Sequence, residues 1–387
     1  MLETPGRALF DVTPEQRAVG DLAREIALRE IAPHVAAWDR GHVFPRALYS
    51  KLTDAGLMGI IVPERYGGAG ADYVSYALAI EELARVDAGT AVTLSVHAMI
   101  GSAILRLGND EQKERYLPRL AAGDTIAGFA LTEPGVGSDA AALIASARRD
   151  GDHYVLNGRK QWCTNGSFAG VTMAMFRTGG RGSKGISAFL VDNDTPGVVV
   201  EKVTEKLGIH TSNTCDLAFD DARVPASALL GDEGTGLSLA LSALTAGRIG
   251  IAAQATGILA ACLDASVAFA REREAFGKPI AAFEGVSFKI AQMATDLDAA
   301  RLLVYRAAAL CDRGEPFAIE ASKAKLFAST AARKHAAEAV QIHGGYGYTT
   351  EFPVERYYRD AKITEIYEGT SEIQQIVIAR SLLGRFD

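Results

Sequence analysis

His153-Tyr154-Val155-Leu156-Asn157-Gly158-Arg159-Lys160-Gln161-Trp162-Cys163-Thr164-Asn165-Gly166 decides how this chain of 387 residues is organised. It opens on apolar and aromatic β-formers and reaches Asn157-Gly158, a hairpin signal, so it predicts a strand closed by a tight turn. Ile186-Ser187-Ala188-Phe189-Leu190-Val191 and Gly197-Val198-Val199-Val200 repeat the pattern between Gly, Asp, Asn and Pro. These short strands predict a middle antiparallel β domain over 125–231. On either side the period changes to that of helices. Thr13-Pro14-Glu15 reads as a helix start, and apolar residues recur at Val19, Leu22, Ala23, Ile26 and Ile31. A Gly-rich turn at 66–70 follows, then helical patterns over 74–85, 93–107 and 109–120, giving an N-terminal α-helical domain over 1–124. From Asp232 onward, long Ala/Leu-rich patterns over 236–271, 284–313 and 316–343, with a last helix over 370–383, predict a C-terminal four-helix bundle over 232–387. The fold class expected is therefore α+β, in the order α, β, α.

Composition narrows the function classes. At roughly 150 residues per domain the length suggests two or three domains. Hydrophobic residues make up 48% and charged residues 22%, which excludes a disordered chain or a disulfide scaffold. The net charge of −7 gives no electrostatic footprint for nucleic acid. Cys163, Cys215, Cys262 and Cys311 form no CxxC pair, so neither a zinc site nor a redox dithiol is implied, and a reducing compartment fits. No apolar run is expected to reach the ~20 residues that span a bilayer. Met1–Ala18 resembles neither a signal nor a transit peptide, so a cytoplasmic location and no membrane insertion are expected.

Six segments carry residues suited to chemistry. In Phe129-Ala130-Leu131-Thr132-Glu133-Pro134-Gly135-Val136-Gly137-Ser138-Asp139-Ala140 the glycines formally satisfy GxGxxG/A, but strand and turn patterns follow rather than a helix. The segment is either a plain glycine turn or a loop whose N–H groups and hydroxyls hold a phosphate or a flavin edge. Gln161-Trp162-Cys163-Thr164-Asn165-Gly166 offers an indole beside a hydroxyl, either a core aromatic or a platform for a flat ring. Gly247-Arg248-Ile249-Gly250 sets one Arg among small apolar residues, which calls for an anionic or carbonyl partner. Arg273-Glu274-Ala275-Phe276-Gly277-Lys278-Pro279 reads as a helix end and turn, with Arg273 suited to a phosphate. Gln341-Ile342-His343-Gly344-Gly345 is a C-cap or a place where a ligand nears the backbone, and His343 is expected to be structural. In Tyr367-Glu368-Gly369-Thr370-Ser371-Glu372, Thr370 or Ser371 caps a helix and Glu368 lies just before it, a solvated charge or, if desolvated, a general base. Serine-hydrolase, metalloprotease and kinase patterns are absent from the sequence.

In this order the segments strongly resemble the acyl-CoA dehydrogenase family over about Thr13 to Leu383: FALTEPGVGSD, QWCTNG, GRIGIAAQATG, the RExxFGKPI segment and QIHGGYGYTTEFPVERYYRDAKITEIYEGTSEIQ all look like its motifs. The resemblance implies the family's α-β-α fold, FAD as cofactor, a homotetramer, oxidation of an acyl-CoA to a trans-2-enoyl-CoA, and electron-transfer flavoprotein as the acceptor. It places Phe129, Leu131, Thr132, Ser138, Trp162 and Thr164 at the flavin. It places Arg273, Phe276, Gln341, Gly344 and Gly345 at the FAD of a neighbouring subunit, and Thr370 and Glu372 at FAD contacts after the base. Ser138, Gly247, Arg248 and Gly369 fall at substrate contacts, and Glu368 at the base that removes the α-proton. Family members commonly carry Gln where this chain has Glu284, which makes Glu284 a departure at an expected cofactor contact.

The same resemblance bears on substrate. Isovaleryl-CoA enzymes place the base where this chain has Gly247, and glutaryl-CoA enzymes carry an Arg where Ala91 stands. The GRIGIA helix and Thr93-Leu94-Ser95-Val96 look most like short-chain and short-branched-chain enzymes. The alternatives are a flavin oxidase on the same fold and a non-catalytic binding protein, and the intact YEGTSEIQ block argues against the second.

Overall fold

The computed structural model describes residues 12–384. Residues 1–11, part of the stretch in which no leader is expected, lie outside them. Helices begin where their capping residues require. The Thr13 hydroxyl accepts from the Gln16 N–H at 3.2 Å and the Gln16 side chain accepts from the Thr13 N–H at 3.0 Å, so α1 (Pro14–Ile26) starts with a capping box. It runs on as a π-helical turn over Ala27–Ile31. Next come α2 (Val35–Gly41), α3 (Arg46–Asp54), α4 (Tyr73–Ala84), α5 (Ala88–Leu107) and α6 (Asp110–Ala121), the last capped by Asn109 and Gln112 in the same way. The strands are β1 (Ile126–Ala130), β2 (Ser146–Asp150), β3 (His153–Thr164), β4 (Ala169–Arg177), β5 (Ile186–Asp192), β6 (Val198–Val203), β7 (Thr214–Pro225) and β8 (Leu229–Leu230). The C-terminal part holds α7 (Gly236–Glu272), a two-stranded ribbon of β9 (Glu274–Ala275) and β10 (Lys278–Pro279), α8 (Glu284–Asp312), α9 (Ala318–His343), α10 (Val354–Ile363) and α11 (Ser371–Leu383).

Packing gathers these elements into two units: 37–71 with 92–247, and the described parts of 1–36, 72–91 and 248–387. In the first, the sheet runs β6-β7-β3-β1-β4-β5-β8, with β2 beside β3 and β4. Tyr154, Phe176, Phe189 and Phe219 fill its core. The sheet is mixed rather than wholly antiparallel, because β1 pairs with β4 in parallel. Asn157-Gly158 is also not a hairpin turn: β3 continues through it. Gly158 takes φ +132° at an irregularity in the pairing with β7, and a Cβ there would lie 2.6 Å from the Ala145 Cβ. The Asn-Gly pair serves a bulge and a close approach, while the real turn is at Gly151, between β2 and β3. His97 is buried in this unit. It takes the Ala127 N–H on Nδ1 and donates from Nε2 to the Met58 carbonyl, and burial pushes its pKa down to about 4, so it is a neutral structural link.

In the second unit the buried alanines of α9 fall mostly three or four positions apart: Ala321, Ala324, Ala328, Ala331, Ala332, Ala336 and Ala339. Their small side chains let α8, α10 and α11 pack closely on α9. Gly257 does the same for α7 and α4, since a Cβ there would sit 2.3 Å from the Glu81 carbonyl oxygen. Glu81 anchors α4 to α8 by accepting from Arg301 at 2.7 Å and from the Tyr305 hydroxyl at 3.0 Å. Two helices, α5 and α7, prove long and apolar enough to cross a membrane, contrary to the expectation from sequence. The most apolar windows of these helices are 94% and 72% buried within the protein, which accounts for that composition by core packing.

Candidate active site

The turn between α10 and α11 has an unusual backbone beside a titratable group. Glu368 takes φ +52° and Gly369 φ +92°, so two consecutive residues are left-handed. Glycine meets that demand at 369 without strain, whereas at 368 a side chain is held there against its preference. The turn is pinned from both sides. The Thr370 hydroxyl accepts from the Ile373 N–H at 3.3 Å and starts α11. The Gly369 carbonyl accepts two donors, Lys325 Nζ at 2.7 Å and Gln374 Nε2 at 2.8 Å. The Tyr367 hydroxyl donates to Gln254 Oε1, and Gln254 Nε2 donates to the Ala88 carbonyl at 2.7 Å.

Held this way, the Glu368 carboxylate is out of water. Both of its oxygens are buried and have no hydrogen-bond partner among the described residues. Burial pushes its pKa from the ordinary 4.5 up to about 7, and the charges of Lys325 and Arg248 limit the rise. Arg248 is itself buried. It donates from Nη1 to the Ser322 hydroxyl at 3.2 Å, its Nε has no partner among the described residues, and burial depresses its guanidinium pKa. Glu365 is largely buried and is paired with Arg333 at 2.9 Å and Lys362 at 2.7 Å. Glu372 is exposed in the first turn of α11, where its own backbone N–H holds the carboxyl below its ordinary range. A buried carboxylate without partners, half ionised near neutrality, is chemically a general base waiting for a proton donor.

The β unit brings a second group of the sequence-marked residues together. Phe129 and Thr164 are cross-strand neighbours on β1 and β3, and the Thr132 carbonyl accepts from the Gln161 N–H at 2.8 Å. Leu131 and Thr132 follow β1 directly. Trp162 takes φ +56°, its N–H donates to Asp216 Oδ1 at 3.1 Å, and its side chain is 59% exposed, which sets aside the core-aromatic reading. Gly135 and Gly137 lie on a tight turn with open space where a Cβ would be, next to exposed Ser138. No helix long enough to make a dinucleotide fold follows, only a single turn at Ala140–Ala142. An exposed indole, three hydroxyls and bare backbone suit the face and edge of a flat heterocycle, so the residues present fit a flavin. The loop rests on a buried ion pair that sequence reading missed. Lys160 Nζ lies 2.7 Å from Glu133, which also accepts from the N–H groups of Ile144 at 2.8 Å and Ala145 at 3.0 Å.

A third group lies on the surface of the helical unit. Arg273 stacks over the Tyr346 ring at 5.7 Å, which brings it to the turn that follows Gln341 and holds Gly344 and Gly345. Phe276 takes φ +51° and is 96% exposed, and Glu284 is exposed in the first turn of α8. His343 is structural, stacked on Phe269 at 4.2 Å with its Nδ1 at the Ala339 carbonyl. Gly247 is buried and immediately precedes Arg248 in α7. The residues that sequence reading missed, Lys325 and Gln374, carried only a weak signal: a Lys on the Ala-rich face of a helix and a Gln in the first turn after a cap.

Comparison with known proteins agrees along the whole chain. Family models match over residues 13–124 (acyl-CoA dehydrogenase, N-terminal domain), 128–222 (middle domain) and 234–383 (C-terminal domain). An acyl-CoA dehydrogenase of Bacillus subtilis (strain 168) is 52% identical over 375 residues, 96% of this chain and 99% of that one. The mitochondrial short-chain specific acyl-CoA dehydrogenase of Mus musculus is 49% identical over 93% of this chain and 88% of its own length. The solved structure of butyryl-CoA dehydrogenase from Megasphaera elsdenii superposes with a TM-score of 0.95 at 43% identity, covering 97% of this chain and 99% of that one.

Proposed function

Given that the chain belongs to the acyl-CoA dehydrogenase family, with that family's helical, β-sheet and helical domains and its FAD-dependent oxidation of CH–CH bonds, we propose that it dehydrogenates a short acyl-CoA thioester to the trans-2-enoyl-CoA with Glu368 as the base. The observation that carries this reading is the buried carboxylate of Glu368, which has no hydrogen-bond partner among the described residues and sits on a left-handed turn. The named short-chain and butyryl-CoA relatives support a short acyl chain.

FAD supplies the hydride acceptor when bound. Phe129, Leu131, Thr132, Ser138, Trp162 and Thr164 would hold it from the β unit, with Trp162 against the ring. Thr370 and Glu372 would contact it beside the base. Arg273, Phe276, Gln341, Gly344 and Gly345, with Glu284 as the departure from the family pattern, would reach the FAD of another subunit. Their exposure in the single chain supports a homotetramer. Ser138, Gly247, Arg248 and Gly369 are assigned to the substrate.

Glu368 takes the α-proton, and its burial makes it basic enough to do so near neutrality. Its backbone N–H is assigned to the thioester oxygen, where a donor to developing charge would act most strongly with water excluded. Lys325 and Arg248 offset the carboxylate's charge before the proton arrives. Electron-transfer flavoprotein is the proposed acceptor of the electrons. The cytoplasm is the proposed location, supported by the absence of a disulfide among the described residues.

Anaerobic titration with acyl-CoAs of graded length tests the proposal. Butyryl-CoA is expected to bleach the flavin faster than palmitoyl-CoA does. A flavin that stays oxidised with every thioester refutes the dehydrogenase reading. Rapid reoxidation in air with product still bound reassigns the chain as an oxidase.

A further inference from the structure

Lys325 lies on α9 among Ala321, Ala324 and Ala328, and it is fully buried. A lysine is almost never fully buried without a charged partner. Its hydrogen bond, however, is to a neutral group, the Gly369 carbonyl at 2.7 Å. That carbonyl already has a neutral donor, Gln374 Nε2 at 2.8 Å, so an ammonium is redundant if the only task is to hold the turn. A Met or Leu would fill the same space in an alanine-lined face without the cost of desolvating a charge. The compensating charge stands one residue from the carbonyl: Glu368, whose carboxylate oxygens have no hydrogen-bond partner among the described residues. The cation and the carboxylate therefore share one turn without being paired head to head. A direct hydrogen bond would occupy the base and depress its basicity, whereas a charge held on the neighbouring carbonyl leaves the oxygens open.

We propose that Lys325 is a positioning residue for the base, its ammonium pinning the Gly369 carbonyl and supplying the positive charge against which the Glu368 carboxylate ionises. This rests on the assignment of Glu368 as base. The other charged or titratable groups around the turn are accounted for. Arg248 projects from α7 and acts in the same sense as Lys325. Tyr367 is locked to Gln254, with burial holding its phenol well above the ordinary value. Glu365 is neutralised by Arg333 and Lys362, and Glu372 is exposed. Lys325 itself is held down to about 8 by burial, so it remains mainly charged where Glu368 titrates.

The test separates charge from geometry with two variants that remove the two donors to one carbonyl. Lys325→Met removes a donor and a charge, and Gln374→Leu removes a donor only. In each FAD-loaded protein, the C=O stretch of the protonated Glu368 carboxyl, assigned by its loss in Glu368→Gln, is titrated by infrared difference spectroscopy without substrate. Lys325→Met is expected to move the titration midpoint upward by about one pH unit or more, a tenfold change in the ionisation constant. Gln374→Leu is expected to leave it within about 0.3 unit. An unmoved midpoint in Lys325→Met, or equal shifts in both variants, overturns the proposal. If Lys325→Met fails to fold, Lys325→Gln, which keeps a neutral donor, is read the same way. Flavin bleaching by butyryl-CoA on the same samples tests the assignment of the base separately. An upward shift without bleaching in the parent protein leaves the Lys325–Glu368 coupling standing and removes its catalytic meaning.

Discussion

Replacing Glu368 with glutamine should make the protein more stable in mild alkali while abolishing its chemistry. The carboxyl titrates at about 7 in the folded chain and at 4.5 when unperturbed. Because the folded value is the higher, the stability linked to this group is fully present below pH 4.5. It is lost as pH rises through 7, where the folded state must either hold a buried charge or unfold. A shift of roughly 2.5 units corresponds to ~3 kcal/mol at full ionisation. Glutamine copies the protonated acid and never carries that charge, so Glu368→Gln should gain up to ~3 kcal/mol over the parent at pH 8 and almost nothing at pH 4.5. The same titration governs rate. The ionised fraction grows about tenfold between pH 6 and pH 8, so bleaching by butyryl-CoA in the parent should accelerate about tenfold over that range. In Glu368→Gln it should fall at least ~100-fold at every pH. Thermal unfolding of both FAD-loaded proteins at pH 4.5 and pH 8, with stopped-flow bleaching alongside, checks both halves. A variant that melts at or below the parent at pH 8, together with a parent rate flat from pH 6 to 8, refutes the claim that the carboxyl is desolvated. Retention of more than about a tenth of the rate, a barrier change under ~1.4 kcal/mol, means that another group is the base.

Three further outcomes follow from the β unit. Lys160→Met strands the buried Glu133 carboxylate and should cost about 3–5 kcal/mol, with reduced FAD content on purification; denaturant unfolding and the flavin-to-protein absorbance ratio measure both. Gly158→Ala drives a methyl group to 2.6 Å from the Ala145 Cβ at φ +132° and should cost about 2 kcal/mol or more. Gly67→Ala, at φ +81° with open space around it, should cost only ~1 kcal/mol, and equal losses in a thermal melt would contradict the bulge argument. Trp162→Ala removes an exposed ring and should change apoprotein stability by less than ~0.5 kcal/mol. FAD affinity, measured by fluorescence titration, should nevertheless weaken at least tenfold, about 1.4 kcal/mol.

Local pattern was enough for much of the architecture. The Thr13 and Asn109 caps, the strand over 153–156 and the long helices of the C-terminal part lie where spacing places them, because these signals act within a few residues. Glu368 was legible as a candidate through its neighbours Gly369 and Thr370, which fix a turn and a helix start. Asn157-Gly158 misled, because the same dipeptide serves a hairpin turn or a bulge. The choice was made by Ala145, on the loop leading into β2, where no short-range pattern could show it.

Sequence by itself determined the order of helical and β segments, the capped starts of α1 and α6, and the presence of a carboxylate on a glycine-freed turn. Tertiary structure alone decided what that carboxylate is. The Gly369 carbonyl is held by Lys325, 44 residues earlier, and the Arg248 guanidinium rests on Ser322, 74 residues later. A side chain's acidity is set by the water and charges within a few ångströms of it, and that neighbourhood is assembled from distant parts of the chain. The exposed indole of Trp162 and the mixed pairing of β1 follow the same rule. Residue type and period are local properties, whereas burial and strand partnership depend on contacts made only when the chain is packed.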